Sequence, residues 1–212
     1  MSVRELYDAV AHRYDATVRE SAYIGPAWLA ERISEVPIAV RAIDLGCANG
    51  NLGRIVRQRF PRVELVGVDV SPTMVAVARA GGGYNELHVA DLNLLFEPHI
   101  TGTFELAVAL GFAEFLSNPR QLLREIGRIV VPGGVLLISF QEHWQDRPSL
   151  APRVTRSGVV EHRAYTMPEV RNMLCEAGFA THQIESRTGY VSRSGFACPY
   201  LFAFARKGER ET

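Results

Sequence analysis

The chain of 212 residues is long enough for one domain with a sizeable core, and 47% hydrophobic against 22% charged residues is the balance of a globular protein, which excludes a disordered chain. Lysine plus arginine equals aspartate plus glutamate, 23 each, so the basic excess of a nucleic-acid binder is missing and no nucleic-acid partner is expected. The longest apolar runs fall far short of a membrane span, "MSVRELYDAVAHRYDA" has no apolar signal core, and three cysteines without metal-ligand spacing read as reduced thiols of a cytoplasmic protein with no metal and no membrane partner.

Residues 3–20 have helical spacing, with Leu6, Val10, Tyr14 and Val18 on one stripe. A second helix is expected from Pro26 to Glu35, closed by Pro37. Strands and helices then alternate. "VRAIDL" (40–45) reads as a buried strand, "GNLGRIVRQRF" (50–60) as a helix and "VELVGVDV" (63–70) as a second strand. Ser71-Pro72 is a helix start, and the glycines at 81–83 stop that helix. Residues 85–91 and 104–110 are strands, 118–130 a helix capped by Asn118, 133–140 a strand and 166–179 a helix. "FATHQIESRT" and "YLFAFARK" follow with only a loop between them, so the end reads as a hairpin with one antiparallel strand. The fold class is therefore α/β: a Rossmann-like, doubly wound sheet, mostly parallel with its last strand antiparallel, and an N-terminal helical cap. The expected organisation is a single domain, cap 1–36 and core 37–212.

Ligands of such sheets sit beyond the carboxyl ends of the strands where the strand order reverses. The turn after the first strand, "AIDLGCANGNLG" (42–53), is that place. As GxGxxG it lacks its first glycine, because Ala48 stands there before Gly50 and Gly53. As acid-x-Gly-x-Gly-x-Gly it again has Ala48 in a glycine position. The acids discriminate better. Asp44 inside the turn would repel a pyrophosphate but accept from an ammonium group. Asp69 ends the second strand, where an acid holds a ribose diol, and Asp91 ends the third, where an acid accepts from an adenine amine. The set implies an ammonium, a ribose and an adenine without phosphates.

The pieces "IDLGCANGNLG", "GVDVSPTMV", "HVADL", "FELAVALGFAEFL" and "REIGRIVVPGGVLLISF" resemble, in order and spacing, the class I S-adenosylmethionine-dependent methyltransferases of the small-molecule type. The resemblance spans nearly the whole chain and implies seven strands, the last antiparallel, with S-adenosyl-L-methionine as cofactor. It implies that Asp44, Gly46 and Ala48 contact the methionine moiety, with Cys47 a small filler and Gly50 in the same turn. Asp69 would hold the ribose with Val70 and Met74 beside the adenine, and Asp91 and Leu92 would read the adenine edge. Leu110, Gly111 and Phe112 would line the sulfonium side, and Tyr14 on the cap would bond the donor's carboxylate or close over the substrate. Ala48 departs from the family's glycine; one methyl is tolerable there if φ is negative. Glu105 stands where the family often has aspartate.

Methyl transfer from a sulfonium is an in-line displacement, so the protein mainly has to align the nucleophile. A general base is needed only where the acceptor enters protonated. His143, in the loop after the fifth strand, is the first candidate, followed by His12 and Glu114. Residues 141–165 form the longest irregular stretch and carry Trp144, Arg147, Arg153, Arg156, His162, Arg163 and Tyr165. With the cap and the loop 189–199 they are expected to form the pocket of a small-molecule acceptor. The four arginines faintly favour a carboxylate or phosphate on it, although a solvated loop explains them more cheaply. Competing functions are a donor-binding chain that catalyses cyclisation or decarboxylation, a non-catalytic partner subunit, and a nicotinamide oxidoreductase, the last disfavoured by Asp44 and the missing glycine.

Overall fold

The computed structural model describes residues 2–94, 96, 100–145, 154–157, 160–192 and 195–209. In chain order the elements are α1 (Val3–Val10), α2 (Tyr14–Glu20), α3 (Gly25–Arg32), β1 (Arg41–Leu45), α4 (Asn51–Arg59), β2 (Glu64–Asp69), α5 (Pro72–Gly81), β3 (Glu86–Val89) and β4 (Phe104–Ala109). They continue with α6 (Pro119–Ile129), β5 (Val130–Gln141), β6 (Val154–Ser157), β7 (Val160–Arg163), α7 (Met167–Glu176), β8 (Phe179–Val191) and β9 (Ala197–Lys207). Seven strands make one sheet in the order β3-β2-β1-β4-β5-β9-β8. The pairs from β3 to β5 are parallel, and β9 runs antiparallel to both neighbours, as the hairpin reading expects.

Two consequences position the site. The strand order reverses between β1 and β4, which opens a crevice at their carboxyl ends. Because β9 runs backwards, its first residues come to the same end of the sheet; Tyr200 pairs with Gln141 at the close of β5. Sheet residues alternate between two cores with a period of two. Leu106, Val108, Val135, Leu137, Phe202 and Phe204 face the core with α3 and α4, while Ala107, Ala109, Leu136, Ile138, Leu201 and Ala203 face the core with α6 and α7.

Helix starts follow local chemistry. Ser71 Oγ accepts from Met74 N, Asn118 Oδ1 from Gln121 N and Thr166 Oγ1 from Glu169 N, each with proline in the first turn. Gly82 at φ +68° ends α5. Glu105 accepts from the amides of Val40 and Arg41 and so fixes the entry to β1.

Two expectations are corrected. The helix over 3–20 is broken into α1 and α2 by a 3₁₀ turn at Ala11–Arg13, which turns the chain over the crevice. The stretch 141–165 is not irregular throughout, because β6 and β7 form an antiparallel hairpin within it. Its alternation is too short to separate from a loop in sequence. Arg147 and Arg153 lie outside the described residues.

Candidate active site

The turn after β1 is built on three left-handed residues: Gly46 (φ +73°), Ala48 (φ +44°) and Gly50 (φ +90°). The condition of a negative φ at Ala48 is therefore not met, and the methyl sits where an L-residue pays roughly 1–2 kcal/mol. Hydrogen bonds hold the turn in place. Gly46 N and Cys47 N both donate to Val68 O (2.8 and 3.0 Å), and Ala48 N donates to Asp69 Oδ2 (2.9 Å). Ala48 also packs with Ala11 and Met74. A Cβ on Gly46 would meet the Phe112 ring at 2.6 Å, so glycine is required there.

The cap is fastened over this turn by two aspartates. Asp8 of α1 accepts from Ser71 Oγ (2.5 Å) and Thr73 N (3.3 Å) at the head of α5. Asp15 of α2 accepts from Asn49 Nδ2 and Asn51 Nδ2, both at 2.7 Å. These donors hold both carboxyls below their usual range.

Two cavities meet beneath the cap. The larger, about 520 Å³, is walled by Asp69, Val70, Asp91, Leu92, Leu110 and Phe112 together with cap residues. The smaller, about 230 Å³, is walled by Asn49, Glu114, His162 and the rings of Tyr23, Tyr190 and Tyr200. Tyr7, Tyr14, Gly46, Ala48, Leu110, Gly111 and Phe115 face both.

In the larger cavity Asp69 is nearly buried and accepts from Ala48 N and Ser71 N (2.9 Å each), one amide per oxygen. Each oxygen keeps acceptor capacity for a diol. Burial pushes its carboxyl up, and the two amides oppose that. Asp91 is exposed at the cavity edge, and its Oδ1 accepts from Asn93 N and Nδ2, 2.9 Å each, an Asx turn that sets the carboxyl's direction. These acids and the glycine-lined floor fit a nucleoside sulfonium; the one cation among the described wall residues, Arg4 on the cap, pairs with Asp8 at 3.8 Å.

Other expected residues fall elsewhere. Asp44 is wholly buried behind the turn, on neither cavity wall, and accepts from Tyr84 Oη (2.6 Å). Burial pushes its carboxyl up to about 7. Met74 is fully buried under Ala48, and Gly50 caps α4; neither reaches a cavity. Cys47 faces the smaller cavity, with its thiol raised by burial. His12 is exposed on the outer side of the cap. His143 lies on neither wall because its backbone N bonds Tyr165 O (2.9 Å) beside β5. Of the three base candidates only Glu114 reaches a cavity. It is 3% exposed, accepts from the Tyr200 hydroxyl, and burial raises its carboxyl.

Sequence reasoning passes over Tyr7, Tyr23 and Tyr200, and reaches Tyr190 only as part of the segment 189–199. The backward run of β9 is the signal for Tyr200: the start of an antiparallel strand sits at the ligand end of a parallel sheet. Pairing of Ile24 N with Gly189 O (2.9 Å) and Val191 N with Ser21 O (2.9 Å) brings Tyr23 and Tyr190 in. Among the described residues of 141–165, His162 alone reaches the smaller cavity, with its ring 4.7 Å from Phe115. Arg163 pairs with Glu161 (2.8 Å) instead.

A family profile described as a methyltransferase domain matches residues 43–136, the span from β1 into β5. A trans-aconitate 2-methyltransferase of Methylobacterium nodulans is 27% identical over 165 residues, 70% of this chain and 62% of that protein. A malonyl-[acyl-carrier protein] O-methyltransferase of Alcanivorax borkumensis is 28% identical over 193 residues, 87% of this chain and 63% of that protein. The chain thus spans about three fifths of the length of these relatives. The Burkholderia thailandensis 1,6-didemethyltoxoflavin-N1-methyltransferase, solved with its acceptor and S-adenosylhomocysteine, superposes with a TM-score of 0.70 at 18% identity, over 98% of this chain and 88% of that one, a likeness of fold. No helix among the described residues is long and apolar enough to cross a membrane. With the profile match, the strand order and the acids at the ends of β2 and β3 in agreement, the chain is similar to the class I S-adenosylmethionine-dependent methyltransferases.

Proposed function

We propose that this chain transfers the methyl group of S-adenosylmethionine to a compact small-molecule acceptor. The observation that carries the reading is the pair of cavities sharing one wall at Gly46, Ala48, Leu110 and Gly111. A donor in the larger and an acceptor in the smaller would meet across that wall. Asp69 would take the ribose diol, Asp91 the adenine amine, and Val70 and Leu92 would flank the base. The left-handed Gly46 and Gly111 let backbone come close to the methionine part. When bound, the donor supplies an electrophilic methyl group. The chain's task is alignment, which is worth up to roughly 7–11 kcal/mol when the reacting atoms are held in line. The cap, with Tyr7 and Tyr14 reaching both cavities, keeps bulk water from the junction. Three unpaired cysteines support a reducing, cytoplasmic setting.

The test is incubation with methyl-labelled S-adenosylmethionine and a metabolite extract. Label in a small molecule together with adenosylhomocysteine is expected. Absence of any calorimetric signal with S-adenosylmethionine or adenosylhomocysteine overturns the reading.

A further inference from the structure

Four buried polar atoms on residues that line the smaller cavity have no hydrogen-bond partner among the described residues: Tyr23 Oη, Asn49 Oδ1, Glu114 Oε2 and His162 Nε2. They come from four separate places, the segment between α2 and α3, the glycine turn, the short turn after β4, and β7. Asn49 commits its amide nitrogen to Asp15, so its oxygen is the end left over. Tyr200 occupies the other Glu114 oxygen, which leaves Oε2 over in the same way. Buried atoms of this kind destabilise a fold unless a ligand completes them.

The ligand's chemistry follows from what they are. An amide oxygen and a carboxylate oxygen only accept, and the Tyr23 hydroxyl accepts or donates. Burial holds the His162 imidazole below its usual pKa, so it is neutral near pH 7. Aromatic rings from the cap, β8, β9 and Phe115 make up much of the wall, and no lysine or arginine is among the described residues there. A carboxylate or phosphate would meet two oxygens and no cation. At about 230 Å³ the space is below the roughly 300–1,000 Å³ of drug-sized sites.

We infer that the smaller cavity takes as methyl acceptor a compact, flat, uncharged ring compound bearing N–H or O–H groups, and that Glu114 receives the proton of the group that is methylated. This rests on the methyl-transfer reading above, and it replaces the anionic acceptor that the arginines of 141–165 suggest. In the step, a bond forms from the acceptor atom to the methyl carbon as the methyl–sulfur bond breaks. The breaking bond's electron pair stays on sulfur, and the acceptor's proton passes to Glu114 Oε2, leaving carboxylic acid, thioether and methylated product all uncharged. Tyr200 is a positioning residue, because its hydroxyl fixes which Glu114 oxygen is available. The five tyrosine phenols and the Cys47 thiol on this wall are raised by burial and stay protonated through neutral pH, so Glu114 and His162 are the remaining titratable groups among the described wall residues.

The test is calorimetric titration of the adenosylhomocysteine-loaded protein with 7-hydroxyquinoline, quinolin-2-one and 5-hydroxyindole, and with quinoline carboxylates of the same size. At least one neutral compound is expected to bind, with the carboxylates at least about 10-fold weaker. Glu114→Gln should weaken the neutral compound about 10-fold or more while adenosylhomocysteine affinity, the check on folding, stays at the wild-type value. In turnover with the methyl donor, the acid limb of kcat/KM against pH should persist in Glu114→Asp and vanish in Glu114→Gln. Preference for the carboxylates, silence of all the neutral compounds, or unchanged affinity in Glu114→Gln overturns the inference and leaves donor binding intact. Failure to bind adenosylhomocysteine takes down the methyl-transfer reading and this inference with it.

Discussion

Tyr84 donates its hydroxyl to Asp44 Oδ2 at 2.6 Å, tying the segment before β3 to the end of β1 beneath the glycine turn. The ring lies against Gly50, Gly53 and Gly67, and a Cβ on any of them would run into it. Two glycines that read as room for a ligand, Gly50 and Gly53, are therefore room for a tyrosine. Tyr84→Phe should leave Asp44 without this partner and lower unfolding free energy by about 1–3 kcal/mol in urea titrations. Adenosylhomocysteine affinity should change little, because neither residue faces a cavity. A large loss of affinity without loss of stability would return Asp44 to the ligand.

Asp44 also sets a pH dependence. Its folded carboxyl holds a proton up to about pH 7, whereas the unfolded chain releases it near about 3.9. Between those values the folded state carries the extra proton. This group's contribution is complete below about pH 4 and is lost as pH rises through 7, in total of order 3–4 kcal/mol. Asp69 and Glu114, also raised by burial, act in the same direction, while His162 acts in the opposite one. Denaturation midpoints measured from pH 4 to 8 should fall, and Asp44→Asn should flatten part of that slope.

Ala48 at φ +44° gives a third expectation. Ala48→Gly relieves left-handed strain of roughly 1–2 kcal/mol but returns about 0.4–1 kcal/mol of unfolded-state entropy and gives up the packing on Ala11 and Met74. Thermal unfolding should move by less than about 1 kcal/mol. Ala48→Val, with a branched Cβ in the same region, should cost roughly 2–3 kcal/mol.

Most of the sheet is legible in sequence because β1, β2 and β4 are short apolar runs, and α1, α5, α6 and α7 open on a side-chain cap. The hairpin β6–β7 is not, being four residues a side with mostly polar side chains in place of an apolar run. In the site, Asp69, Asp91 and the residues after β4 are readable because strand ends alone place them at the crevice. Asp44 reads as a ligand group only while Tyr84, 40 residues away, is out of view. His143 reads as the base because it follows a strand, but its backbone pairing with Tyr165 carries it aside. The tyrosine wall depends on pairing between residues more than 160 apart, which no local pattern encodes.

Asp69 offers a fourth test. Asp69→Ala removes the proposed ribose acceptor and should cost roughly 1.5–3 kcal/mol of donor affinity by calorimetry. It also orphans the amides of Ala48 and Ser71, so Asp69→Asn, which keeps one acceptor oxygen, should lose less of both affinity and stability. Wild-type affinity in Asp69→Ala would remove this residue from the donor site.

The cap is latched at two points, Asp8 to the head of α5 and Asp15 to Asn49 and Asn51, and its tyrosines are part of both chambers at once. A swing of residues 3–20 therefore cannot widen one mouth without the other. Under the proposed methyl transfer, release of both carboxylates would open the donor and acceptor chambers together.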